Sequence, residues 1–317
     1  MNNKMNNIEE YGKEITAVLA ERHPELKFDF NPTIVKNNGI TLSGISIRKE
    51  DSNISPMIYI NNLYDDERTV EEAIDEVWNI YIHNHMHQFN YIDKIQDFDY
   101  IKNYFFISLV NLDKNQAIME TCPYAMFGDL LVYFIIVIDD NANGRSVIKI
   151  NNMMMEQWGV TLSDILEPAF NNISKNPAQI VPMNIMLNNL LEMQNISLHD
   201  AFGIDELPEA VPMYIVTNNF KNHGCVYLAH KNTLLAISKQ IGLNSFYIIP
   251  SSIHELIVVP EDGIDGTDPC SILLDMVKDV NKTSLPESEF LSDNVYHFDA
   301  TSEELVDAEG NKLIFLS

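Results

Sequence analysis

The longest unbroken apolar run in this chain is nine residues, Leu130 to Ile138. A membrane-crossing helix needs about 20, so the apolar content must be buried in short pieces. Many of those pieces are β-branched and close on turn residues, which is the pattern of strands joined by hairpins. Phe28 to Val35 and Ile40 to Arg48 flank Lys36-Asn37-Asn38-Gly39. Asn-Gly between two such runs is a strong hairpin signal, because both residues tolerate positive φ. Asn143-Gly144, between Asp129–Asp139 and Arg145–Asn151, repeats the signal.

Helical spacing alternates with these strands. Ile8, Tyr11, Ile15, Val18 and Leu19 recur on one helical face, and Pro24 stops that helix. Thr69 followed three residues later by Glu72 is a capping box; Val70, Ile74, Val77, Tyr81 and His85 then form one stripe, predicting a helix to about Phe89. Further helices are predicted over 162–173, 183–192, 232–241 and 268–281, the last opening on Asp268-Pro269, a cap followed by proline. Strands are predicted over 56–60, 104–112, 213–217, 224–228, 246–249, 254–260, 295–298 and 312–316. Hairpins mixed with helices indicate an α+β protein with mixed or antiparallel sheets and flanking helices. At 317 residues it has room for two sub-domains. The proline-containing stretches 172–182 and 195–212 place the expected boundary within 172–212, giving residues 1–178 and 179–317.

Charge restricts the partners. Forty-six acids against 20 bases give a formal net charge of −26. Nucleic-acid binding is driven by Lys and Arg contacts to phosphate, so direct nucleic-acid binding is disfavoured, as is an anionic membrane surface. A basic protein partner or a cation fits the sign, and solubility alone also accounts for it. Cys122, Cys225 and Cys270 form no CxxC pair, which leaves a zinc ribbon unsupported. MNNKMNNIEE lacks a signal peptide's apolar region. A reduced, cytoplasmic setting is expected.

The densest collection of reactive side chains lies in FYIIPSSIHELIVVP, residues 246–260. Ser252, His254 and Glu255 are the candidate nucleophile, base and acid. Serine hydroxyl and imidazole must lie at about 2.6–3.2 Å to react, and residues two apart on a strand have Cβ atoms about 7 Å apart. No GxSxG or HExxH is present. A partner from a distant segment, such as Asp293, is therefore required for catalysis; otherwise the serines bend the chain and His254 bonds backbone. His83 and His87, four apart on a helix, are candidate metal ligands, with His85 about 200° away from His83; a cationic helix end is the simpler account. The run Asp65, Asp66, Glu67, Glu71, Glu72, Asp75, Glu76 offers carboxylates to a cation, or complements a helix N-terminus. Asp262, Asp265 and Asp268 lack the order of an EF-hand. No GxxxxGK[ST] or GxGxxG occurs, and no cofactor is expected.

Several segments taken in order carry a resemblance: Asn37-Asn38-Gly39, Leu42-Ser43-Gly44-Ile45-Ser46-Ile47-Arg48, Pro56-Met57-Ile58-Tyr59-Ile60, Trp158-Gly159, Met213-Tyr214-Ile215-Val216-Thr217-Asn218, Pro250-Ser251-Ser252-Ile253-His254-Glu255, Leu291-Ser292-Asp293 and Val295-Tyr296. Together they resemble domain-of-unknown-function family 5688, from about Tyr11 to Phe298. The resemblance implies a bacterial cytoplasmic protein whose two halves travel together, and it assigns no catalytic role. The expected function is a non-enzymatic, acidic protein-interaction module, in one version displaying carboxylates as a nucleic acid displays phosphates. The alternative is a hydrolase or transferase centred on Ser252, His254 and Glu255.

Overall fold

The structure is a computed structural model that describes residues 7–49, 57–83, 94–141, 144–194, 196–197, 199–200, 213–261 and 268–316. The chain divides into two compact units, Met1–Ile95 and Gln96–Ser317. The boundary expected between 172 and 212 lies inside the second unit, in which residue 179 opens a separate sheet. All three sheets are antiparallel, and the fold is α+β.

The first unit packs helices on a three-stranded sheet. Helix α1 (Ile8–Arg22) is capped by Asn7, whose side chain accepts the Glu9 N–H at 2.7 Å. Strands β1 (Leu26–Val35) and β2 (Thr41–Lys49) form the expected hairpin; Asn38 and Gly39 both take positive φ at its turn. Strand β3 (Met57–Tyr59) pairs with β2. Helices α2 (Asn61–Asp65) and α3 (Val70–His83) follow. Thr69 and Glu72 make the capping box in both directions. Tyr11, Ile15 and Leu19 of α1 meet Ile45, Ile47, Ile74 and Val77 in the core; each such buried side chain contributes about 1.5–3 kcal/mol. A Cβ on Gly12 would lie 2.1 Å from the Phe30 ring, so only glycine lets α1 approach β1 this closely. The expected extension of α3 beyond residue 83 lies outside the described residues.

The second unit holds two sheets. Strands β4 (Phe105–Asn111), β5 (Tyr124–Phe127), β6 (Leu130–Asn141) and β7 (Gly144–Lys149) form one, with β6 paired to the other three. Between α2–α3 and the next large helix lie three short ones, α4 (Phe98–Ile101), α5 (Ala117–Thr121) and α6 (Asn152–Trp158). Helix α7 (Leu162–Ser174) packs on β4. Its buried Asn172 donates through Nδ2 to the carbonyls of Lys102 and Phe105, each at 3.0 Å.

The other sheet has seven strands. These are β8 (Gln179–Pro182), β9 (Tyr214–Thr217), β10 (Ser245–Ile249), β11 (Leu256–Pro260), β12 (Tyr296–Asp299), β13 (Glu304–Asp307) and β14 (Lys312–Leu313). They pair in the order β14-β13-β12-β10-β11-β9-β8. Helices α8 (Met183–Gln194), α9 (Lys231–Ile241) and α10 (Pro269–Ser284) accompany it. Asp268 caps α10 as expected, accepting the Ser271 N–H. Leu273 and Val277 of α10 pack on Tyr247, Ile249, Val259 and Val295.

Two expectations need correction. Residues 224–228 were expected to be a strand; Gly224–Ala229 is a 3₁₀ helix with every residue buried. An apolar run enclosed on all sides carries no periodicity to separate strand from helix. Its first two N–H groups bond the carbonyls of His254 and Ile253 instead of a neighbouring strand. The strand expected from His254 begins only at Leu256, because the Ser252 hydroxyl and the Glu255 carbonyl close the preceding residues into a loop.

Candidate functional site

The loop Pro250–Glu255 joins β10 to β11. Ser252, His254 and Glu255 are therefore near one another, but their reactive atoms do not converge. Ser252 is 6% exposed, and its Oγ accepts the backbone N–H of His254 at 3.0 Å. Among the described residues no hydrogen bond joins that hydroxyl to the His254 ring. Glu255 accepts from Ser251 Oγ at 3.4 Å. The hydroxyl that would have to act as nucleophile is engaged in holding a turn.

The His254 ring meets residues from two remote segments. Its Nδ1 accepts the backbone N–H of His223 at 3.3 Å, and the two imidazoles lie edge to face with centroids 5.5 Å apart. Its Nε2 lies 4.0 Å from Glu289 Oε1. The His254 side chain keeps 31% of its surface exposed. Because Nδ1 is an acceptor, the neutral ring carries its proton on Nε2, facing the carboxylate. Asp293, the distant acid expected for this role, accepts from Asn281 at 2.8 Å; Glu289 stands beside the ring in its place.

The backbone of the loop is held as firmly as its side chains. The His254 carbonyl accepts both the Gly224 N–H at 2.9 Å and the Thr217 hydroxyl at 2.8 Å. Ile253 N–H donates to the Glu289 carbonyl at 2.9 Å. A Cβ on Gly224 would lie 2.6 Å from the His254 oxygen and 2.7 Å from Thr217 Cα, so the contact requires glycine.

Beside this loop is an open cleft of about 210 Å³. Phe106 and Ile107 of β4, Val226 and Tyr227 of the 3₁₀ helix, and Phe220 and His223 of the preceding loop border it. His223 thus touches the cleft on one side and His254 on the other. Asn218 shapes the loop: its Oδ1 accepts the N–H groups of Phe220 and Asn222 at 3.0 and 3.1 Å, and Lys221 and His223 take positive φ. Sequence reasoning missed His223, Glu289 and the cleft. His223 follows an Asn-rich turn and carries no spacing signal, and Glu289 sits in a short 3₁₀ segment 35 residues after His254.

A family model described as "Family of unknown function (DUF5688)" matches residues 8–300. The chain belongs to that family. No curated protein and no solved structure matches it. Membership in DUF5688 covers both compact units and brings no assigned residue with it.

The remaining sequence candidates separate in the structure. Among the described residues no group of three or more His, Cys, Asp or Glu side chains is placed to hold a metal ion. His87, His85 and the side chain of His83 lie outside the described residues, as do Asp262 and Asp265. Asp65, Asp66, Glu67, Glu71, Glu72, Asp75 and Glu76 are all exposed at the end of α2 and along α3. Within that run Glu71 is engaged by Arg22 at 2.7 Å, and Glu72, held low by its hydrogen bonds from Thr69, closes the cap. Among the described residues no helix is long and apolar enough to cross a membrane.

Proposed function

We propose that this DUF5688 chain is a non-enzymatic, acidic interaction module of the cytoplasm whose partner is a basic protein surface. The observation that carries this reading is the run of exposed acids in the first unit, Asp65 and Asp66 at the end of α2 and Asp75 and Glu76 along α3. Carboxylates so arranged attract a cationic surface, and the attraction weakens with salt. The engagement of Ser252 by backbone supports the non-enzymatic part. The test is capture from a bacterial lysate at low and high salt, with wild type and an Asp65→Asn/Asp66→Asn/Asp75→Asn/Glu76→Gln variant. A basic protein retained by wild type, eluted by salt and lost on the variant is expected. Equal capture by both proteins overturns the reading.

One observation favours the alternative hydrolase or transferase. His254 is accessible and stands between His223 and Glu289, a composition suited to proton transfer. In that reading Ser252 and Glu255 hold the loop and His254 acts. A hydrolase or transferase activity found in the wild type and abolished by His254→Gln, but kept by Ser252→Ala, decides for it.

A further inference from the structure

Helix α10 is apolar on two faces. Its inner face, Leu273 and Val277, is buried against Tyr247, Ile249, Val259 and Val295. A helix laid on one sheet needs only that face to be apolar. Ile272, Met276 and Val280 nevertheless recur at four-residue steps on the outer side, 40%, 52% and 55% exposed. Steps of four keep the three within an arc of about 80°, as one ridge along the helix. Every other large hydrophobic side chain exposed among the described residues is alone on its helix, strand or loop. Single exposed apolar residues are ordinary, whereas a contiguous apolar ridge marks a contact surface.

The two borders of the ridge differ in character. On one side, about 60° and 100° round from Met276, lie Leu273 and Val277, which seat the helix on the sheet. On the other, at about the same angles, lie Asp279 and Asp275, both exposed. Among the described residues neither carboxylate is held in an ion pair. Their charge decides what fits the ridge. An antiparallel second copy would set Ile272 against the partner's Val280, but also Asp279 beside the partner's Asp275. Like charges brought together in this way, on a chain of net charge −26, disfavour self-pairing. A cationic partner meets no such penalty.

We propose that the outer face of α10 docks a basic amphipathic helix of a partner protein, with apolar side chains on Ile272, Met276 and Val280 and Lys or Arg against Asp275 and Asp279. A ridge at four-residue steps is the surface into which a second helix packs its own ridges. An apolar stripe read at such steps is a recurring mode of helix recognition. The apolar contact supplies most of the affinity, while the carboxylates orient the incoming helix and speed its approach. An acidic helix is repelled by the same two groups, as is an anionic membrane. This docking face rests on the interaction reading above and adds to it a contact in the second unit and a chemistry for the partner.

The test uses full-length protein labelled with ¹³C-methyl methionine and titrated with a synthetic amphipathic peptide of Leu and Lys, its counterpart of Leu and Glu, and zwitterionic lipid vesicles. A saturable shift of the Met276 methyl resonance with the Lys peptide alone is expected. Ile272→Ser/Val280→Ser keeps the reporter, alters only exposed positions and is expected to weaken binding about tenfold or more. Asp275→Asn/Asp279→Asn should weaken it too and reduce its dependence on salt. An unmoved Met276 methyl, or full affinity in the Ile272→Ser/Val280→Ser variant, overturns the docking face. A shift with the Glu peptide or with the vesicles overturns the partner class. A concentration-dependent dimer in sedimentation velocity, abolished by the same serine variant, overturns it in favour of a second copy. The Met276 methyl reads α10 alone, so its failure to move leaves the first-unit acids to be judged by the capture experiment.

Discussion

The backbone N–H of His223 donates to Nδ1 of His254 across 31 residues of chain, at 3.3 Å. That bond fixes the tautomer of the one accessible histidine in the β10–β11 loop. The lone pair of Nδ1 is committed, and the Nε2 proton is turned toward Glu289. The neutral His254 ring is therefore expected to show the Nε2–H pattern in long-range ¹H–¹⁵N spectra. A ring protonated on Nδ1 would show that the loop is arranged otherwise.

Ser252 is expected to matter for stability. Its buried Oγ satisfies the His254 N–H, and leaving such a donor unpaired costs about 1–3 kcal/mol. Ser252→Ala should lower the free energy of unfolding by that amount in urea titrations. A variant as stable as wild type would mean that water replaces the hydroxyl.

Gly224 tests the contact between the 3₁₀ helix and the loop. Gly224→Ala pushes a methyl group into the His254 carbonyl and the Thr217 backbone, neither of which is a flexible side-chain end. Overpacking of this kind costs about 1–3 kcal/mol or more. The expected signature is a lower urea midpoint together with shifted His254 ring resonances. Gly242, which meets nothing within 4 Å but has φ +74°, is a useful comparison. Gly242→Ala should cost about 1–2 kcal/mol from backbone strain alone, with His254 unmoved.

His230 is expected to make the second unit acid-sensitive. The residue is 3% exposed, its Nδ1 lies 2.7 Å from Thr233 Oγ1, its Nε2 lies 3.3 Å from Ser174 Oγ, and its ring stacks on Phe170. Burial lowers its pKa below the usual histidine value. The unfolded chain then binds a proton more readily than the folded one, so the stabilisation is full above the unfolded value of about 6.5 and is lost as pH falls below it. One proton gives a slope of at most about 1.4 kcal/mol per pH unit. Urea titrations from pH 7.5 to 5 should show a flatter pH dependence for His230→Gln than for wild type, and an unchanged slope would remove His230 as the cause.

Asp129 ties the two sheets of the second unit together. From the turn between β5 and β6 its carboxylate accepts the hydroxyls of Ser292 and Tyr296, both fully buried. Burial, then the adjacent carboxylate, pushes the Tyr296 phenol well above its ordinary range. Hydrogen bonds to charged groups contribute about 1.5–3 kcal/mol each. Tyr296→Phe should cost about that much, and Asp129→Ala more, since it strands both hydroxyls. Alkaline difference spectra should show one more tyrosine ionising only on unfolding in wild type than in the Tyr296→Phe variant.

Much of the local structure was legible from residue order alone. Asn38-Gly39 takes the positive φ its hairpin requires, Thr69 and Glu72 cap α3, and Asp268 caps α10, because these features depend on residues within a few positions of one another. The strand expected at 224–228 failed for the opposite reason. Its apolar run is enclosed on every side, and the partners that choose its conformation, the carbonyls of Ile253 and His254, lie about thirty residues away. Strands β5, β8 and β13 were also not anticipated, being four residues each and defined by their ladders. The candidate site was half legible. Its loop was found from its side chains, but the groups that meet His254 come from segments remote in sequence.

Residue order by itself determined the family, the α+β class, the turns and caps, and the anionic character, since each depends on composition or on neighbours along the chain. Tertiary structure alone decided that Ser252 serves a turn and that His223 and Glu289 frame His254. Those outcomes depend on hydrogen bonds between segments far apart in sequence, and a donor's partner is settled only when the chain has folded.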